Sequence, residues 1–195
     1  MATTIYPVIL PVPETLRRLA PAERVRALSE LARRALACSA QRLQVVLGAL
    51  RKDARGAPLP VAGHHWSLTH KPLFAGAVLA PAAVGLDLEA LRSCSPALYR
   101  RTATDAEWAL FGGSDPRIIF FRCWTAKEAV LKAVGEGMRG WSHCRIHQVS
   151  GDMRLAVDYR DTLWPVEQVF FHGHVASLAG RGFRVEWHPA DGPSP

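Results

Sequence analysis

Residues 83–91, AVGLDLEAL, constrain this chain more than any other stretch. Val84, Leu86 and Leu88 alternate with Gly85, Asp87 and Glu89, the period-two pattern of a strand with one buried face. Strand geometry puts Asp87 and Glu89 on the same face, their side chains about 7 Å apart or less. Two like charges held that closely repel unless something neutralises them. One solution is a solvated outer face. The other is a hard cation, and magnesium suits oxygen ligands, keeping waters while one or two carboxylates and substrate phosphates hold it.

A second stretch bears on the same choice. FRCWTAKEAVLKAVGEG, residues 121–137, reads as a helix that places Lys127, Glu128 and Lys132 within two turns, beside Trp124. Ser114-Asp115-Pro116 opens this helix and Gly135 lies just past its end. Glu128 and Lys132 are spaced four apart, worth roughly 0.2–0.5 kcal/mol on any exposed helix. An ordinary solvated face would therefore explain them. Packed across the strand, the same helix would instead add Glu128 as a third carboxylate and turn Lys132 toward a bound phosphate.

Around these two elements the chain alternates helical and strand patterns. Pro21 starts a helix through AERVRALSELARRALA, with Val25, Leu28, Leu31, Ala32 and Ala35 on one face. QRLQVVLGAL fits a short helix or a strand, and RKDARGAPLPVAG is a loop. HHWSLTH and LFAGAVLA form two strands joined by Lys71-Pro72, and Thr104 to Glu107 is a T-x-x-E capping box opening another helix. CRIHQV, RLAVDY, EQVFFHGHVASLA and FRVEWH are strand-like, and the tail ADGPSP reads as frayed. The class is α+β, with a seam at Pro81 between halves spanning residues 1–81 and 82–195.

Net charge sets the class of partner. The chain carries +7 with a pI near 9.7, and Arg17, Arg18, Arg24, Arg26, Arg33, Arg34, Arg42, Arg51, Lys52 and Arg55 gather in its first third. A basic surface steers anions: nucleic acid, phosphorylated ligands or an acidic protein. No apolar run reaches membrane-spanning length. The first residues, with Pro7, Pro11 and Pro13 and no basic lead, make a poor signal peptide. Cys38, Cys94, Cys123 and Cys144 form no CxxC pair, so neither a zinc site nor a disulfide framework is indicated, and a reducing, cytoplasmic setting is expected.

GLDLE followed by WTAKEAVLK resembles the paired signature of the 4′-phosphopantetheinyl transferases, roughly (V/I)G(V/I)D-x-E and W-x-x-KE-(A/S)-x-x-K. Each motif alone is weak; together, in this order, they are specific. The resemblance spans about residues 55 to 145, and the length is similar to that of the broad-specificity type that activates surfactin synthetase. It implies two pseudo-symmetric α+β halves with the ligand in the cleft between them. The substrates implied are coenzyme A and an acidic acyl or peptidyl carrier protein, acted on by a monomer in which magnesium, or else manganese, is bound.

Residue by residue, the resemblance implies metal ligands at Asp87, Glu89 and Glu128. It implies phosphate-contacting lysines at Lys127 and Lys132 and a general base at Glu107, with Lys132 also stabilising charge on the leaving phosphate. WSLTH resembles the family's F-N-I-S-H, so Thr69 and His70 fall at the 3′-phosphate of coenzyme A. The usual upstream G-K-P is replaced by Gly56-Ala57-Pro58, with Arg55 or Lys52 as substitutes for the missing lysine, and Arg24 and Arg26 compete for the nucleotide.

Some residues admit a plainer role. Glu107 can simply cap its helix, and Trp124 can seat its own. His64 and His65 carry no partner spacing. His172 and His174 share a strand face but lack a third ligand. Two rivals stand beside the transferase reading: a catalytically silent paralogue that binds carrier or coenzyme A, and a basic nucleic-acid-binding module. The second leaves the carboxylates unexplained and comes without zinc-finger or RNP-type motifs.

Overall fold

Two long helices, each laid across a largely antiparallel sheet, organise the chain. The computed structural model describes residues 2–189; the ADGPSP tail lies outside them. In the first half, β1 (Thr3–Ile5), β2 (Val8–Pro11), a turn of helix α1 (Glu14–Arg17) and α2 (Pro21–Arg42) precede the hairpin β3 (His65–His70) and β4 (Phe74–Ala80). In the second, β5 (Val84–Ala90) leads through α3 (Pro96–Thr102) and α4 (Asp105–Ala109) to α5 (Pro116–Val134) and a 3-10 helix (Gly137–His143). There follow β6 (Cys144–Val149), β7 (Arg154–Tyr159), β8 (Thr162–Phe171), β9 (His174–Gly180), β10 (Phe183–Val185) and β11 (His188–Pro189).

The halves repeat one topology. In each, a first strand leads through a long helix to a meander whose last strand pairs antiparallel with the first: β2 with β4, and β5 with β9. The orders are β11-β2-β4-β3 and β5-β9-β8-β7-β6. This is the α+β arrangement with two similar halves, the second enlarged by extra strands. The chain does not divide cleanly at Pro81, however. β10 and β11 return to pair in parallel with β1 and β2, so residues 183–189 complete the first half.

Local chemistry accounts for α5. Asp115 accepts a hydrogen bond from the Arg117 backbone N–H at 2.8 Å, Pro116 supplies the fixed φ of a first helical residue, and Gly135 ends the helix at φ +72°. The helix lies directly on β5. A Cβ added at Gly85 would stand 1.8 Å from the Ala129 carbonyl oxygen, so only glycine permits this approach. Gly85 and Asp87 are therefore buried like Leu86 and Leu88, and the outer face of the strand is not solvated.

Other expectations need correction. Val25 is exposed, because the buried stripe of α2 begins at Leu28. That helix runs on to Arg42, and Val45 to Leu50 follow without regular structure. EQVFFHGHVASLA is a hairpin rather than one strand: His172 and Gly173 both take positive φ, as a tight two-residue turn requires. His172 is in that turn, so it does not share a strand face with His174. The apolar patch near the N-terminus forms β2, with Val8 and Ile9 in the core. Among the described residues no helix is long and apolar enough to cross a membrane.

Candidate active site

The seam between the halves is where β3 lies beside β5, and side chains rather than a backbone ladder join them. Ser67 Oγ accepts from the Leu86 N–H at 3.0 Å, and Thr69 Oγ1 donates to Asp87 Oδ1 at 3.2 Å. Both residues are buried. Thr69 thus orients a carboxylate, its hydroxyl hydrogen committed to Asp87.

Asp87 is only 3% exposed. Its Oδ1 also accepts from Lys132 Nζ at 2.8 Å, while Oδ2 is buried with no hydrogen-bond partner. Lys132 comes from α5 and donates in addition to the Leu86 carbonyl at 2.9 Å. Two residues along β5, Glu89 Oε1 lies 2.6 Å from Lys71 Nζ. Glu128, half-buried on α5, faces the same space. Burial pushes its carboxyl above the usual range and the Asp87 charge pushes it further; Lys132 and Lys71 offset only part of this, and Glu89 adds to it.

Asp87, Glu89, Glu128, Lys132, His70 and Trp124 line one cavity of about 270 Å³. Burial lowers the pKa of His70, and the Lys132, Lys71 and Lys52 charges lower it further against a backbone hydrogen bond that raises it. A larger cleft of about 670 Å³ shares Leu68 and Lys132 with this cavity. Its walls include Lys52 and Arg55 from the loop before β3, Trp66, and Met138 with Arg139 after α5. Arg55 is exposed there, 3.5 Å from Asp53. Arg24 and Arg26 line neither space.

Lys127 and Glu107 are elsewhere. Lys127 is 2% exposed, with Nζ 2.6 Å from Glu107 Oε1 and 2.8 Å from the Thr102 carbonyl. Its ammonium is committed to that buried pair and does not reach the cavity expected to hold phosphate. Glu107 is 4% exposed and forms the complete capping box with Thr104. Its Oε1 accepts from Ile146 N–H at 2.7 Å as well as from Lys127, and its Oε2 from Thr104 N–H at 2.7 Å and Thr104 Oγ1 at 3.0 Å. Those contacts use every acceptor position of a carboxylate. Burial would raise its pKa, but the Lys127 bond and the Thr104 and Ile146 N–H groups outweigh it and hold the pKa below the usual range. Glu107 therefore acts in this structure as a cap and as the partner of Lys127, and it lines neither the cavity nor the cleft.

Lys71, in sequence only the connection between two strands, stands on the cavity wall. The one signal for it was its place directly after His70. Arg139 had none, because the 3-10 helix that carries it opens on Gly137, two residues after Gly135, without periodicity.

A divalent cation suits this wall. The orphaned Oδ2 of Asp87 lacks a partner in a buried place, and Glu128 and Glu89 line the same cavity. Among the described residues, no three His, Cys, Asp or Glu groups are gathered closely enough to enclose an ion alone. Magnesium does not require that, since waters and phosphates complete its shell.

Residues 83–179, which run from β5 through β9 and include Asp87, Glu89, Glu128 and Lys132, match the family model of the 4′-phosphopantetheinyl transferase superfamily. The chain carries a domain of that superfamily. No curated protein matches the chain in sequence. Phosphopantetheinyl transferases use coenzyme A as substrate, act on carrier proteins and typically employ a divalent metal. The match therefore supports a phosphopantetheinyl transferase activity in general. His70, Lys71 and Arg55 lie outside the matched span, on the half that closes the other side of the cleft.

Proposed function

We propose that this protein transfers the 4′-phosphopantetheine group of coenzyme A to a serine hydroxyl of an apo acyl or peptidyl carrier protein. The serine oxygen forms a bond to the β-phosphorus, the bond to the bridging pyrophosphate oxygen breaks, and adenosine 3′,5′-bisphosphate leaves. One observation carries this reading. Asp87 and Glu89 from β5, Glu128 and Lys132 from α5 and His70 from β3 line a single cavity that opens beside a cleft of about 670 Å³.

Asp87, Glu89 and Glu128 would hold magnesium, which when bound supplies Lewis acidity and a template for the pyrophosphate. Lys132, at the wall common to both spaces, offsets negative charge on the leaving phosphate, as positioned cations do in phosphoryl transfer. His70, with Lys52 and Arg55, receives the 3′-phosphate. Thr69 orients Asp87. Lys127 binds no phosphate in this scheme; paired with Glu107, it fixes the turn of α5 that presents Glu128. The serine proton goes to a group on the cavity wall, directly or through water; Glu107 does not line that wall. The resemblance of both motifs is to the broad-specificity, surfactin-activating type, and the free thiols fit a reducing cytoplasm.

Mass spectrometry of apo carriers incubated with coenzyme A, Mg²⁺ and this protein tests the reading. A gain of one phosphopantetheine mass is expected, and Asp87→Ala is expected to abolish it while remaining folded. Unmodified carriers that nonetheless bind the protein would point to a silent paralogue. Unmodified carriers with salt-sensitive DNA binding would point to a nucleic-acid module.

A further inference from the structure

Three carboxylates on the cavity wall face only two ammonium groups, Lys132 and Lys71. Lys132 belongs to the signature helix. Lys71 belongs to neither motif and comes from the opposite half, at the turn after β3, where its backbone N–H donates to the Phe74 carbonyl at 2.8 Å. That turn fixes the base of the side chain. The ammonium reaches across the seam to Glu89 Oε1 at 2.6 Å, a distance at which the hydrogen bond is charge-assisted. Glu89 is 14% exposed at its side chain and Lys71 is 31% exposed, so the pair is partly shielded from water but the lysine keeps room to leave.

We propose that Lys71 is a built-in counter-ion of Glu89 that competes with a divalent cation for that carboxylate, and so sets the metal affinity of the site before coenzyme A arrives. The inference rests on the metal assignment above. The Lys71 ammonium at 2.6 Å takes up one acceptor site of Glu89 Oε1 and sets a positive charge beside the sites that remain. A divalent ion held by this carboxylate is opposed by that charge. An anionic diphosphate on the same wall, which His70 and Lys132 also line, would offset it. Binding of metal is thereby disfavoured in the absence of substrate and favoured with it.

The test is titration of the coenzyme-A-free protein with Mn²⁺, following the free ion by electron paramagnetic resonance. Lys71→Met and Lys71→Gln both remove the charge, and both are expected to bind Mn²⁺ on the order of tenfold more tightly than the unmodified protein. That factor corresponds to removing one positive charge about 6 Å from a divalent ion in a solvated cleft. Lys71→Arg keeps the charge and is expected to stay within about twofold. Asp87→Ala serves as the site control and should lose the binding. Neutral variants that bind no more tightly, while Asp87→Ala still loses the site, overturn the role of Lys71 and leave the metal assignment standing. Mn²⁺ binding that survives Asp87→Ala overturns the metal assignment and this inference together, as does the absence of binding in every variant.

Discussion

Replacing Glu107 by glutamine changes two things at once. Glutamine can keep the capping box, because its amide oxygen still accepts from the Thr104 N–H. It cannot balance Lys127, whose ammonium would remain buried against a neutral amide. Removing one member of a buried pair costs about 3–5 kcal/mol, and for a chain of this size that lowers the melting temperature by roughly 6–20 °C. Adding Lys127→Met to the glutamine variant should recover much of the loss, since no unpaired charge is then left inside. Acid gives an independent check. The folded pKa of Glu107 is depressed, so its contribution is complete above the unfolded carboxylate pKa of about 4.3 and disappears as pH falls through the lower folded value. Thermal unfolding across pH should therefore show wild type and variant converging as pH falls through the depressed folded pKa of Glu107. A variant as stable as wild type at pH 7 would mean that the pair contributes nothing.

At the scale of the element, everything depends on how closely α5 rides on β5. The helix brings Glu128 and Lys132 to Asp87 only because residue 85 has no side chain. In Gly85→Ala the new methyl would fall 1.8 Å from the Ala129 carbonyl oxygen and 2.7 Å from the Ala133 nitrogen. Both are backbone atoms of the helix, so no side chain can yield and α5 must lift. Denaturant unfolding should register a loss of about 3 kcal/mol or more, at the upper end of overpacking costs. Gly76→Ala is the control: its methyl meets only side chains, at 3.4–3.5 Å, and should cost much less. Equal losses in the two variants would show that the helix does not bear on the strand at this point.

Over the whole molecule, charge is divided by surface. Arg18, Arg26, Arg33, Arg34, Arg42, Arg51, Lys52 and Arg55 are exposed on the first half, while the acids that matter are gathered at the seam. An acidic carrier approaching the basic half would be steered, which raises its association rate more than its affinity. The rate of carrier modification at limiting carrier should then fall steeply between low and physiological salt, as the Debye length shrinks to about 8 Å. Turnover at saturating carrier should change much less. Equal salt sensitivity in both regimes would assign the charge to coenzyme A binding instead.

Period-two and helical patterns, caps and turn residues are local, and they identified β3, β4, β5, α4 and α5 because each depends on neighbours within a few positions. Two of these segments also carried the family signature, which put Asp87, Glu89, Glu128 and Lys132 together before any fold was known. A two-residue turn marked by a single glycine, His172-Gly173, was too weak a signal to split one apparent strand into β8 and β9. Pairing of the last strands with the first was invisible, because parallel ladders between chain ends leave no local trace. The roles of Glu107 and Lys127 were decided by burial: a motif gives the spacing of charges along a helix, but only the packed molecule determines which of them see water, a ligand or each other. Lys71 reached Glu89 for the same reason, since the two belong to different halves and meet only where the halves close.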